Sequence, residues 1–431
     1  MLLVFIVALA AIAAYAAVAR RFERLNVTGP IVFTTLGLVL GLAGMRFVTL
    51  GTTAEVVRQT TSVALVLLLF SDAATIDLAA LRKDARIPLR LLLIGLPLTI
   101  LLGAAAARLL YPALGIGLAV LIASILAPTD LSLGLAMFQN PNVPPRVSRV
   151  INVESGLNDG IAAPFVALAT ALAIAEFDKT SAPLLEAGVE IALGIVVGVV
   201  IGFLGAKMLS ASKRSGWSSA GSRQFAALAL ALIAYTVALA THGNGFIAAF
   251  VGGITFGAVG RDDAVEAAGY SEETGTLLTL LVWLAFGMGV LPALVGAQLS
   301  WRPILYALLS LTVIRMIPVA IALIGTRLHG RTVLFAGWFG PRGLASVVFM
   351  LQALVILQHA GVAYAGVAAT AGWTILLSVM LHGVSAGPVA GWYGRVSRTF
   401  AEGSPELEPS AGVTGRHRAP APSAASGDAR P

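Results

Sequence analysis

The sequence predicts an all-α polytopic membrane protein of about thirteen transmembrane helices, arranged as an inverted repeat around two broken helices. Three observations carry that expectation. The 431-residue chain is 58% hydrophobic and 11% charged, against roughly 25% charged in soluble domains. Apolar runs long enough to span a bilayer, roughly 20 residues each, recur along it. Two of those runs are interrupted at corresponding places, and broken segments in matching positions of two halves are the sequence mark of an inverted repeat with its site near the bilayer midplane.

Taken in order, the runs lie near 1–19, 29–44, 60–78, 88–110, 113–137, 149–174, 185–209, 224–241, 245–260, 275–296, 303–325, 331–357 and 364–388. The first starts at Met1 with no positive charge ahead of it and ends in Arg20-Arg21. A secretory signal has the opposite order, so this run reads as a retained helix with its N-terminus outside. On that topology 21 of the 28 basic residues fall in cytoplasmic loops and the tail, 5 fall outside, and 2, Arg315 and Arg342, fall within spans. The bias obeys the positive-inside rule and fits an odd number of helices with a cytoplasmic C-terminus. It also accounts for the net +7 without a nucleic-acid partner. The transmembrane domain is expected over 1–390. Residues 391–431, increasingly rich in Pro, Ser, Ala and Gly, are expected to be a disordered cytoplasmic tail, whose arginines are drawn at most weakly to anionic membrane lipid.

Chemistry concentrates in the sixth run, at Ile151-Asn152-Val153-Glu154-Ser155-Gly156-Leu157-Asn158-Asp159-Gly160. Ionisable residues inside a membrane are costly and functional by default. On a helix Ser155 and Asp159 share one face, and Glu154 and Asn158 form a stripe about 100° away. Asp159 can be tuned by burial, neighbouring charge and hydrogen bonds to hold either a proton or a cation. Glu154 is expected to pair with Arg315, which lies deep in the eleventh run, or with Arg342. Asn158 can hydrogen-bond across to Asp130 or to backbone.

The breaks are Pro128-Thr129-Asp130 in the fifth run and Gly340-Pro341-Arg342-Gly343 in the twelfth. Proline withholds an N–H from the carbonyl four residues earlier, here Ser124 and Gly337. Asp130 and Arg342 set a charge beside each break, so each half-helix end can be offset by a side chain of suitable sign. Asp72, with Asp77 at the end of the third run, is a candidate accessory ligand. His242, His359 and His382 are read as interfacial, and no pair has metal-ligand spacing. With no cysteine at all, disulfides, thiolate sites and c-type haem are excluded, and no cofactor is expected.

Together, Pro128-Thr129-Asp130, Glu154 to Gly160 and Gly340 to Ser346 resemble the signature of the monovalent cation:proton antiporters of the sodium/proton exchanger family. The resemblance implies a homodimer in the cell membrane, elevator-like alternating access, and a core holding two crossed, unwound helices. Core helices then fall near 88–174 and 275–357, the remainder serving dimerisation and linkage. It implies Asp159 as carrier of Na⁺ or K⁺ and of H⁺, with Asp130, Thr129 and Ser155 as neighbouring cation ligands and Glu154–Arg315 as a structural ion pair. Asn158 before the aspartate implies electroneutral exchange. One departure is that Phe70 is followed by Ser71-Asp72 where some relatives carry glutamate, which leaves the fourth ligand and the ion preference open. A gated cation channel, an organic-anion symporter on the same scaffold and an intramembrane serine hydrolase are the competing classes. The last would need an activated serine with a nearby base, and the chain has neither a Gly-x-Ser-x-Gly elbow nor a suitably placed histidine.

Overall fold

The computed structural model describes residues 2–25, 27–44, 52–76, 85–130, 133, 140, 142–296 and 300–408. Among these the chain is helical throughout, with no strand. In order come α1 (Leu2–Arg24), α2 (Gly29–Leu42), α3 (Thr52–Ala74), α4 (Arg86–Leu110), α5 (Ile116–Ile125), α6 (Pro145–Asp178) and α7 (Ala182–Arg214). They are followed by α8 (Ala220–Ala240), α9 (Gly245–Gly260), α10 (Asp262–Gly296), α11 (Trp301–Ala322), α12 (Gly330–Trp338), α13 (Leu344–His359) and α14 (Ala365–Ser397). Every predicted apolar run overlaps one of these helices. Among the described residues seven helices, α4, α6, α7, α8, α10, α11 and α14, are long and apolar enough to cross a membrane. Asp77 and part of the fifth run lie outside the described residues.

Local chemistry sets the helix ends. Proline opens α2, α6 and α7, where its missing N–H costs nothing. Asn244 caps α9 by accepting from the Phe246 and Ile247 amides. α6 runs for 34 residues and stops at Lys179, whose φ of 54° is left-handed. Inside it Pro164 leaves the Gly160 carbonyl without its helical donor, in the same turn as Asp159.

Helices that share an apolar solvent need close packing to associate, and small residues permit it. Gly194, Gly198 and Gly202 repeat at one-turn intervals on α7 against α9. A Cβ at these positions would sit 2.6, 2.6 and 2.3 Å from the carbonyl oxygens of Asn244, Ala248 and Gly252, so only glycine allows the two backbones to meet. The opposite face of α7 carries exposed Val196, Val199, Val200 and Phe203.

A buried ion pair ties α6 to α11. Arg315 Nη1 lies 2.7 Å from Glu154 Oε1, and Nη2 donates to Oε2 at 2.9 Å. Both side chains are almost wholly enclosed. The fork-to-fork geometry fixes the rotation of α6 about its own axis, and hence which face Ser155, Asn158 and Asp159 present.

The C-terminal boundary differs from the sequence expectation. Instead of becoming disordered at 391, the chain continues α14 to Ser397 and folds 398–408 back as a strap. Phe400 stacks on His329 with ring centroids 4.5 Å apart. Glu406, in a short 3₁₀ turn (Pro405–Leu407), is buried and accepts from the His329 amide at 2.6 Å and from Thr332 Oγ1 at 2.8 Å. A tail carboxylate therefore caps the N-terminus of α12, where the helix dipole favours negative charge. Composition hides this because one residue and one aromatic ring make the anchor.

Two outcomes follow for the melting temperature of detergent-solubilised protein. Glu154→Leu alone strands a buried guanidinium and costs about 3–5 kcal/mol, whereas Glu154→Leu with Arg315→Met recovers most of that loss; a double variant as unstable as the single one contradicts the pairing. Glu406→Ala removes two hydrogen bonds to a charged acceptor, about 1.5–3 kcal/mol each, and lowers the melting temperature, while Glu402→Ala at an exposed position leaves it unchanged.

Candidate functional site

Where α5 ends at Ile125 and where the α12–α13 helix is interrupted at Phe339–Gly343, two extended segments cross. The Asp130 amide donates to the Pro341 carbonyl at 2.8 Å, and the Leu344 amide, the first of α13, donates to Asp130 Oδ2 at 3.1 Å. Arg342 reaches the other way. Its Nη1 donates to the Ala127 carbonyl at 2.8 Å and lies 3.4 Å from that of Pro128, and Nη2 donates to the Ser310 carbonyl at 3.2 Å. Each charged side chain thus serves the opposite break. The carboxylate meets the positive end of α13 and the guanidinium meets the negative end of α5.

The crossing requires glycine at 343. A Cβ there would come 2.0 Å from the Asp130 Cβ, well inside contact distance. Two residues on the sequence left as interfacial or unremarked also hold the second break. Ser378 of α14 accepts from the Arg342 amide at 2.6 Å and lies 3.2 Å from His382 Nδ1. His382 Nε2 donates to the Trp338 carbonyl at 3.1 Å. His382 is buried in mid-helix, so its interfacial reading is corrected; His242 and His359 are exposed. The only sequence signal was Ser378 and His382 spaced four apart in an apolar run.

α6 meets the first break through three side-chain contacts. Asn158 Nδ2 donates to Thr129 Oγ1 at 2.7 Å, Thr129 Oγ1 lies 2.9 Å from Ser155 Oγ, and Ser155 Oγ donates to the Thr129 carbonyl at 2.5 Å. Each hydroxyl has one hydrogen, so the chain runs Asn158 to Thr129 to Ser155 to the Thr129 carbonyl. Asn158 therefore engages a side-chain hydroxyl, where the sequence had suggested Asp130 or backbone. Ser155 and Asn158, on stripes read as separate, converge on the same residue. Asn158 Oδ1 remains buried without a hydrogen-bond partner among the described residues, a costly state for an amide oxygen and one that fits an electropositive guest.

Asp159 is partly buried one residue beyond Asn158 and one turn beyond Ser155. On α3, Asp72 faces the same part of α6, since a Cβ at Gly156 would lie 3.9 Å from the Asp72 Cβ. Gly156 and Asp159, three apart, share a helix face. Arg342, weighed as an alternative partner for Glu154, serves carbonyls instead. Of the sequence candidates, Thr129 touches both Ser155 and Asn158, Asp130 and Arg342 lock the crossing beside them, and Glu154, one turn before Asn158 on the same stripe of α6, is held by Arg315.

A cavity of about 480 Å³ opens between α6, α7, α9 and α13. Arg58, Glu186, Glu190 and His242 line it, and along α6 its wall reaches Ala163, one turn from Asp159. Phe246 and Phe349 also line it, edge to face with centroids 6.0 Å apart. One turn nearer Asp159 the Phe250 ring packs on Gly160, where a Cβ would lie 2.1 Å from its carbons. The arrangement is a vestibule with charged groups in its wall and aromatic rings toward Gly160.

Comparison with known proteins puts this geometry in a family. The family model described as sodium/hydrogen exchanger, transmembrane, matches residues 7–392. A Na(+)/H(+) antiporter of Schizosaccharomyces pombe is 28% identical over 280 residues, 60% of this chain and 58% of that protein's length. The Na(+)/H(+) antiporter NhaH of Halobacillus dabanensis is 28% identical over 352 residues, covering 75% of this chain and 82% of the relative. The solved structure of the sodium proton antiporter MjNhaP1 from Methanocaldococcus jannaschii shares the fold, with a TM-score of 0.70 at 19% identity over 89% of this chain and 99% of that one. Because the family match takes in both helix breaks, the Asn158-Asp159 element and the buried ion pair within one continuous region, the chain belongs to the sodium/hydrogen exchanger family.

Proposed function

We propose that this protein exchanges a monovalent cation, Na⁺ or K⁺, for a proton by alternating access, and that Asp159 carries both in turn. The observation that carries the reading is the buried, unpartnered Asn158 Oδ1 beside the Thr129 and Ser155 oxygens and one residue from Asp159. A desolvated monovalent cation needs several oxygen ligands, and this cluster offers two hydroxyls and a carbonyl in hydrogen-bonding contact, with the Asn158 amide, whose oxygen is unused, tied to them through Nδ2. Family membership and the antiporter activity for which both relatives are named support the same conclusion.

The mechanism follows from proton positions. In the described state the hydroxyl hydrogens point into the cluster, Thr129 to Ser155 and Ser155 to the Thr129 carbonyl, so the cage is closed on itself. Cation entry rotates those hydrogens outward and turns the oxygen lone pairs inward. The incoming charge also lowers the proton affinity of Asp159, because an adjacent positive charge favours the carboxylate. Proton and cation therefore exclude one another, and that exclusion is the coupling. Asn158 contributes a neutral oxygen, so one positive charge replaces one positive charge and the cycle is electroneutral. Asp130 and Arg342 hold the crossing, Glu154 and Arg315 hold the rotation of α6, and Asp72 is an accessory ligand facing the same turn.

The assembly is a homodimer in the cell membrane, with the N-terminus outside and the C-terminus cytoplasmic. The 21 to 5 distribution of basic residues in the sequence supports the orientation. The apolar face of α7, exposed at Val196, Val199, Val200 and Phe203, supports contact with lipid or a second copy.

In proteoliposomes carrying a preset pH gradient and a pH-sensitive dye, added Na⁺ or K⁺ dissipates the gradient. Imposing a membrane potential with potassium and valinomycin leaves the Na⁺-driven rate unchanged. Asp159→Asn abolishes the response; full activity in that variant, or a rate that follows the potential, contradicts the mechanism.

A further inference from the structure

We infer that the pocket between the start of α4, the start of α6 and the turn after α11 binds a phosphate-class anion, and that Glu408 of the strap occupies part of that site as a built-in competitor. The pocket holds about 300 Å³ and is lined by Arg86, Arg146, Thr326 and Arg327, with Pro405 and Glu408 on the strap side. Its three guanidiniums come from three separate stretches of the chain, so the fold and not helical periodicity gathers them. Each offers a planar fork of N–H donors suited to phosphate oxygens. Among the described residues that line the pocket three are arginines and one, Glu408, is a carboxylate, so positive charge predominates there.

An anionic group already demonstrates the chemistry. The Glu408 carboxylate lies 2.6 Å from Arg146 Nη1, and the side chain of Glu408 is 55% exposed while that of Arg146 is 14% exposed. The arginine is built into the wall, held also by the Pro405 carbonyl, and the carboxylate reaches in from solvent. Two residues earlier the buried Glu406 fixes the strap to His329 and Thr332. Glu408 lies just past the 3₁₀ turn, so it can leave Arg146 without undoing that anchor. Arg327 adds an independent sign: its φ is 62°, left-handed backbone that glycine adopts far more readily.

Phosphate fits better than a second carboxylate because it offers more acceptor oxygens to the three arginines that line the pocket. The pocket lies at the ends of α4, α6 and α11, where either a lipid phosphate headgroup or free phosphate can reach it. Binding is measured on the purified full-length chain in two arms. One titrates inorganic phosphate in neutral detergent, and the other measures phosphatidic acid retained in nanodiscs of phosphatidylcholine. The expected result is saturable binding of at least one probe. Arg86→Ala with Arg327→Ala weakens it about tenfold or more, and Glu408→Gln tightens it about fivefold, as removal of a charge-assisted competitor predicts. The Glu408→Gln gain guards against misfolding, which cannot tighten a site. Binding of inorganic phosphate assigns a soluble anion, and binding of phosphatidic acid alone assigns a lipid headgroup. Failure of both probes to saturate, or an affinity unchanged in either variant, overturns the site.

Discussion

Opposite charges traded between two broken helices are the constraint on which the rest depends. A helix end exposed within a membrane leaves amides or carbonyls without partners, and unsatisfied groups there cost several kcal/mol each. Asp130 satisfies the start of α13 and Arg342 satisfies the end of α5, each from the other strand of the crossing. Neither break can therefore move alone. The Asp130 amide on the Pro341 carbonyl closes the backbone of the crossing, and Gly343 lets the chains touch. Everything polar in the site is referenced to this joint.

Against that joint α6 is placed by two independent contacts. Thr129 accepts Asn158 and receives Ser155, and one turn earlier Arg315 grips Glu154 with both nitrogens. A rotation of α6 about its axis would break both. The turn from Glu154 to Asp159 is consequently presented in a single orientation, and ligand geometry needs supporting contacts of this kind to be held within fractions of an ångström. Within this fixed frame the binding step of the proposed exchange asks only for hydroxyl rotation and a proton on or off one carboxylate.

The parts legible in the sequence are those where a residue violates its surroundings. Asp159, Glu154, Arg315 and Arg342 are ionisable groups within apolar runs, and Pro128 and Pro341 interrupt helices, so each stands out without coordinates. Which charge served which break was not legible, because Asp130 and Leu344 are separated by more than two hundred residues and meet only through the crossing. Ser378 and His382 were missed since a neutral serine and a lone histidine in a long helix have no distinctive pattern. The strap escaped notice because Glu406 sits among prolines and serines that signal disorder, and a buried carboxylate reveals itself only by what encloses it. The glycine seam of α7 was present in the sequence as a four-residue repeat, but its partner α9 is known only from packing.

The claim that proton and cation occupy one site by turns is tested most directly by isothermal titration of Na⁺ or K⁺ into purified protein in two buffers of different ionisation enthalpy. Near the pH where Asp159 is protonated, competition predicts one proton released for each cation bound, and an apparent affinity that weakens as pH falls. Cation binding with no proton released, at an affinity independent of pH, would contradict it.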